Sequence, residues 1–188
     1  MSGSLTIAGP TPNEAAMFTA LRAALMQYLP SGVDMIRGQV NRVPEPIGPD
    51  FLVFWPIARV NLETPIQDYR DGFYDDPQTG GVTTLYQPAE VTVQVDVHGP
   101  VSGDTVAVLS ALSRSALLAD TLAAITEDVA VLYAGEPRQN PFENAESQIE
   151  WMWSIDFHIQ VNATITFTQD FFDQVTAGIF NVDVEYLP

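Results

Sequence analysis

From Ile149 to Phe167 the chain reads IEWMWSIDFHIQVNATITF, and every odd-numbered position is apolar. The even-numbered positions are polar apart from Met152. A period of two marks a strand with one face on a core and the other in water. Ordinary strands have about 5–6 residues, whereas this stretch, fully extended, would reach roughly 60 Å. AEVTVQVDVHGP shows the same alternation. Val91, Val93, Val95 and Val97 face one way, Thr92, Gln94, Asp96 and His98 face the other, and Gly99 with Pro100 ends the strand.

Elsewhere the period changes to that of a helix. In TPNEAAMFTALRAALMQYLP, Phe18, Leu21, Leu25 and Tyr28 recur at helical spacing. Thr11, Pro12 and Glu14 form a capping-box pattern, and Pro30 to Gly32 stop the run, which predicts a helix over 12–29. Val108, Leu109, Leu112 and Ala116 predict a second helix over about 104–115, followed by a short helix or turn at about 117–124. Further strands are expected at 33–43, at 51–62 with Pro56 as a bulge or edge, and at 129–133. Residues 68–81, rich in aspartate and turn formers, are expected to form a long exposed loop, with a short strand at 66–69. A turn or helix at 170–176 and a final strand at 178–186 would complete the chain.

This order predicts an α+β fold: a mainly antiparallel β-sheet with two principal helices packed on one face. The 188 residues suit one domain, with 1–10 as a flexible N-terminal arm. No apolar run approaches the roughly 18–20 residues that span a bilayer, and MSGSLTIAGPTPNE lacks the basic and apolar regions of a signal peptide. No membrane partner and assembly in a cytosol are therefore expected. With no cysteine, disulfides and thiolate metal sites are excluded.

Charge sharpens the picture. There are 24 acidic and 7 basic residues, for a net charge of −17. Every basic residue is arginine. A nucleic-acid binder clusters its cations against phosphate, but these arginines are scattered among an excess of acids. One explanation is a soluble acidic protein from a high-GC or salt-adapted organism. The other is a surface that must lie near DNA without holding it.

Catalytic motifs are lacking: there is no phosphate loop, no nucleophile elbow and no sequence signature of a cofactor site. Asp96 with His98, and Asp156 with His158, would converge if their strands paired in a suitable register. They could then hold zinc or manganese in a metal-dependent enzyme; otherwise they are solvated polar-face residues. Trp151 and Trp153 fall on the apolar face of the long strand, where core packing and burial in a neighbouring subunit are the alternatives. Phe171 and Phe172 present the same choice.

QVNRVPEP after the first helix and strand, VTVQVDVHGP leading into a helix, and LYAGEPRQNPFENAESQIEWMWSIDFHIQVN together resemble the tailed-phage neck and tail terminator proteins of the head–tail junction. The resemblance runs from Thr11 to Asn162 and rests on the order of elements and on local patterns, among them Asn41, Arg42, Pro44 and Pro46. From Gln169 onward it does not extend. It implies an α+β structural protein, not an enzyme and without cofactors. Such a protein forms a ring, usually a hexamer, on the last ring of a tail tube, stops tail polymerisation and meets the head connector while DNA passes through the hole. Another connector-completion protein or a tube component is the alternative within the same machine. Candidate interface residues are Trp151, Trp153, Phe171, Phe172, Asp75 and Asp76.

Overall fold

The computed structural model describes residues 9–38, 46, 48–70, 81–140, 142–143 and 149–169. Chain order is α1 (Glu14–Leu25), β1 (Asp34–Arg37), β2 (Phe51–Asn61), β3 (Ile66–Arg70), β4 (Gly81–His98), α2 (Ser102–Leu112), α3 (Ala116–Ile125), β5 (Val129–Ala134), β6 (Arg138–Gln139), β7 (Phe142–Glu143), β8 (Ile149–Glu150) and β9 (Met152–Gln169). The fold is α+β, with a mixed, mostly antiparallel sheet. Its strands run β1-β2-β4-β9-β5, with β3 added to β4 and β6 to β9. Among the described strands, only the β1–β2 pair is parallel. β7 and β8 form a separate two-stranded sheet.

β4 and β9 dominate the architecture. Each has 18 residues, and all are paired without interruption from His98↔Met152 to Gly81↔Gln169. Over 17 steps of ~3.3 Å this ribbon is about 56 Å long. The odd-numbered face of its first half is the core: Val91, Val93, Val95 and Val97 meet Ile155, Phe157, Ile159 and Val161. The helices close the same face, α1 through Met17, Leu21 and Leu25, α2 through Val106 and Leu109, and α3 through Leu118 and Leu122. The Tyr28 hydroxyl joins the end of α1 to α3, lying 3.1 Å from the carbonyl of Leu117 and 2.5 Å from the Thr121 hydroxyl.

Several sequence expectations change. The described residues hold three helices, and the short helix or turn expected at about 117–124 is the helix α3, capped by Ser115, which accepts a hydrogen bond from the Leu118 N–H. The first helix starts at Glu14, capped by Asn13, whose side chain accepts from the Ala16 N–H at 2.9 Å. Thr11 cannot serve as the cap because its backbone is committed to β9: its N–H donates to the Thr164 carbonyl and its carbonyl accepts from the Thr164 N–H. The strand expected at 33–43 is confined to Asp34–Arg37, with 39–43 outside the described residues. The strand at 66–69 reaches Arg70, and β4 starts at Gly81, which places Asp68 to Arg70 and Gly81 in strands. Residues 71–80, and the elements expected at 170–176 and 178–186, lie outside the described residues, as do residues 1–8 of the N-terminal arm.

The long strand itself divides. The alternation from Ile149 breaks at Trp151, whose carbonyl accepts the N–H of Gly99 at 3.0 Å, while Ile149 and Glu150 pair with β7 instead. Gly99 has φ +105°, and a Cβ there would strike the carbonyl of Pro49 and the side chain of Asp50. This turn is therefore built for glycine.

Candidate assembly surface

At the His98–Met152 end of the ribbon the two tryptophans separate. Trp153, opposite Val97, is half-buried, packs against the core and lies beside Gly103 of α2. Trp151 lies outside any strand and is 61% exposed, next to Ile149 at 80%. Together with Phe51, Pro49 and Pro100 they line a shallow apolar depression. One of the two candidate tryptophans is thus a core residue and the other is open to a partner.

Toward the other end the sheet outruns its helices. β2 pairs with β4 as far as Asn61↔Ala89, and β3 then continues along the same edge from Ile66↔Tyr86 to Arg70↔Val82. Pro88 falls at the gap between β2 and β3, where its carbonyl accepts the Leu62 N–H at 3.0 Å, so its missing N–H interrupts no strand ladder. β3 is exposed at every position. Ile57, Val60 (59%), Leu62, Ile66 (58%) and Tyr69 are exposed along β2 and β3, with Val60 and Ile66 on the Glu90 and Tyr86 face of β4 and Tyr69 on the opposite face. The reading of the sequence missed them. Their β-prone character is visible in the chain, but nothing in the pattern tells which edge of which strand stays unpaired.

The polar face of the ribbon carries a different chemistry. Asp96, although mostly buried, accepts from Ser154 and from the Gln94 side chain at 2.8 Å, and Ser154 in turn accepts from Asn140 at 2.7 Å. Arg138 binds Asp156 at 2.7 Å. His158 stacks on Tyr133 and lies 2.6 Å from Glu90, while His98 stacks on Phe51. Burial holds the His98 imidazole below its ordinary pKa, against the opposing pull of the Asp96 and Glu150 charges.

Register decides the metal alternative. His98 pairs with Met152 and His158 with Thr92, so the two imidazoles stand six positions apart along the ribbon. That is about 20 Å, too far to share an ion. Among the described residues no cluster of three histidine or acidic side chains could hold a metal. The convergence that a metal-dependent enzyme would need is absent from this sheet.

The arginines are largely neutralised in place. Arg22 pairs with Asp34, Arg37 with Glu14, Arg70 with Asp68, Arg114 with Glu136 and Arg138 with Asp156. Little cationic surface is left for phosphate. No single helix among the described residues is long and apolar enough to cross a membrane. Phe171, Phe172, Asp75 and Asp76 lie outside the described residues.

A helix-backed sheet prolonged beyond its helices, with exposed apolar side chains at one edge and most of its described arginines in ion pairs, has the features of an assembly part. A family model described as phage neck terminator protein matches residues 18–183. The chain belongs to that family. The match runs well past Asn162, where the resemblance read from the residues stopped, and takes in most of the C-terminal segment. No curated protein matches the chain. Membership of the family makes it a structural protein of the phage virion, placed at the neck and tail.

Proposed function

We propose that this neck terminator assembles as a closed ring, hexameric on the pattern the family resemblance implies. The ring caps the tail tube, stops its growth and offers a seat to the head connector, and DNA passes through the hole without specific binding. Assembly takes place in the host cytoplasm from single-domain chains.

The observation that carries this reading is the length of the β4–β9 ribbon. A compact chain of 188 residues has a radius of gyration of about 16 Å and hence a diameter of about 40 Å. A ribbon of about 56 Å overshoots that. The overshoot places two unlike apolar patches far apart: Ile149 with Trp151 near one end, and the β2–β3 edge toward the other. Head-to-tail rings need two different, complementary patches on each subunit, whereas a two-fold dimer needs one patch that matches itself. The paired arginines and the charge of −17 favour a channel that repels phosphate, so that DNA slides.

Mass photometry and negative-stain imaging of the purified chain test the ring, with annular particles of one discrete mass expected. Deleting the gene should give overlong or headless tails. A monomer at every concentration, or normal headed particles without the gene, would overturn the proposal.

A further inference from the structure

The two long strands leave the sheet with unequal edges. On the β9 side the arm is partly closed: the Asn162 N–H donates to the Asp128 carbonyl at 2.8 Å, and Thr164 exchanges two backbone hydrogen bonds with Thr11. On the other side, β1 covers only Phe51–Phe54 of β2. From Trp55 through Arg70 the outward backbone of β2 and β3 has no strand partner among the described residues. Natural edge strands are guarded by lysine, proline, bulges and charges; this chain has no lysine, and beside the Pro56 bulge and the charged Arg59, Asp68 and Arg70 the edge still exposes Val60 and Ile66.

β9 ends at Gln169, at the tip of the arm opposite Gly81, and 19 residues follow. Their last part reads GIFNVDVEY. Phe180, Val182, Val184 and Tyr186 alternate with Asn181, Asp183 and Glu185, which is again the period of a strand. The segment from Asp170 to Pro188 holds four acidic residues and no basic one. A hairpin returning along its own β9 would meet Thr11 and Asp128 already seated at Thr164 and Asn162. The β2–β3 edge, by contrast, has no strand partner among the described residues from Trp55 onward, exposes Val60 and Ile66, and carries Arg59, which has no acidic partner among those residues. Eight residues, 170–177, span up to about 28 Å before the alternating run begins, enough to leave the subunit.

We propose that residues 178–186 of one copy add as a strand to the β2–β3 edge of the next copy. This inference rests on the ring reading above and names the element that closes the subunit contact. Main-chain ladder bonds supply the affinity. The apolar members of the alternation lie beside Val60 and Ile66, which share the Glu90 and Tyr86 face of β4, and the acidic members face Arg59 on the opposite face. Each subunit gives a strand at one place and receives one at another, the head-to-tail relation that closes a ring.

The test uses the full-length chain. Val182→Pro with Val184→Pro removes two ladder donors. The concentration at which rings form should rise by roughly 10-fold or more, while the melting temperature of the monomer stays unchanged. Because the chain has no cysteine, single Ile66→Cys or Val60→Cys chains can be mixed with Val182→Cys chains and oxidised. A disulfide-linked dimer joining the two kinds of chain is expected. Rings that form normally with the proline pair, or a cross-link that forms only within one chain when both cysteines are on it, overturn the inference and leave the ring reading standing. A wild-type chain that never leaves the monomer removes the ring reading and this inference with it.

Discussion

Val91 and Val97 lie on the same strand and the same face as Leu85, yet the two valines are almost wholly buried and the leucine is only half-buried. The backbone is alike in both halves, with every residue of β4 paired to β9. The difference is that helices cover one half and no helix of the described residues contributes core residues to the other. In the helix-backed half, apolar side chains stabilise the subunit. In the arm, the same kinds of side chain contribute little to the subunit and remain available to something outside it. Burial, rather than residue type, assigns the role.

This contrast can be broken most severely in the backed half. Phe157→Ala, at a fully buried site, should cost about 3–5 kcal/mol and lower the melting temperature of the monomer sharply, and calorimetry of a dilute sample would show it. Gly99→Ala should cost about 1–3 kcal/mol, since the substituted residue must keep a positive φ against Pro49 and Asp50; urea unfolding would read the loss. A smaller effect is expected from His98, whose pKa in the folded state lies below its unfolded value near 6.5 because of burial. The unfolded chain then takes up the proton first, so stability is full above about pH 6.5, falls as the pH drops from there toward the folded pKa and levels off below it. The urea midpoint of the wild type should fall between about pH 7.5 and pH 5 by more than that of His98→Gln, the comparison cancelling the carboxylates common to both.

The smallest effects on folding come from the open surfaces, and they sharpen the comparison. Trp151→Ala and Ile66→Ser should each change monomer stability by less than about 0.5 kcal/mol. Both should weaken assembly, as seen by mass photometry over a dilution series. Trp153→Ala should do the reverse, lowering the melting temperature through its contact with the core. Equal behaviour of the two tryptophans would dissolve the distinction drawn between them.

Much of this was legible in the residues. The alternation at Val91–Val97 and at Ile155–Val161 named the core face of the sheet, and the spacing of Phe18, Leu21 and Leu25 named the face of α1 that meets it. The neck terminator resemblance was also readable there, and the family match bears it out. The first half of β4, from Gly81 to Pro88, was less legible, because Pro88 and the pair Thr83–Thr84 interrupt the alternation that marks its second half. The metal alternative arose because Asp96, His98, Asp156 and His158 share a face, and the register of β4 against β9 removed it.

Periodicity is local. It depends on where each side chain points relative to its neighbours in the chain, so the sequence alone determined which elements form and which of their faces is apolar. Register, the edge left unpaired and the reach of the helices depend on which distant segment lies alongside, and no local pattern encodes that. Only the tertiary structure could seat Thr11 on Thr164, part Trp151 from Trp153 and leave the β2–β3 edge from Trp55 onward without a strand partner among the described residues.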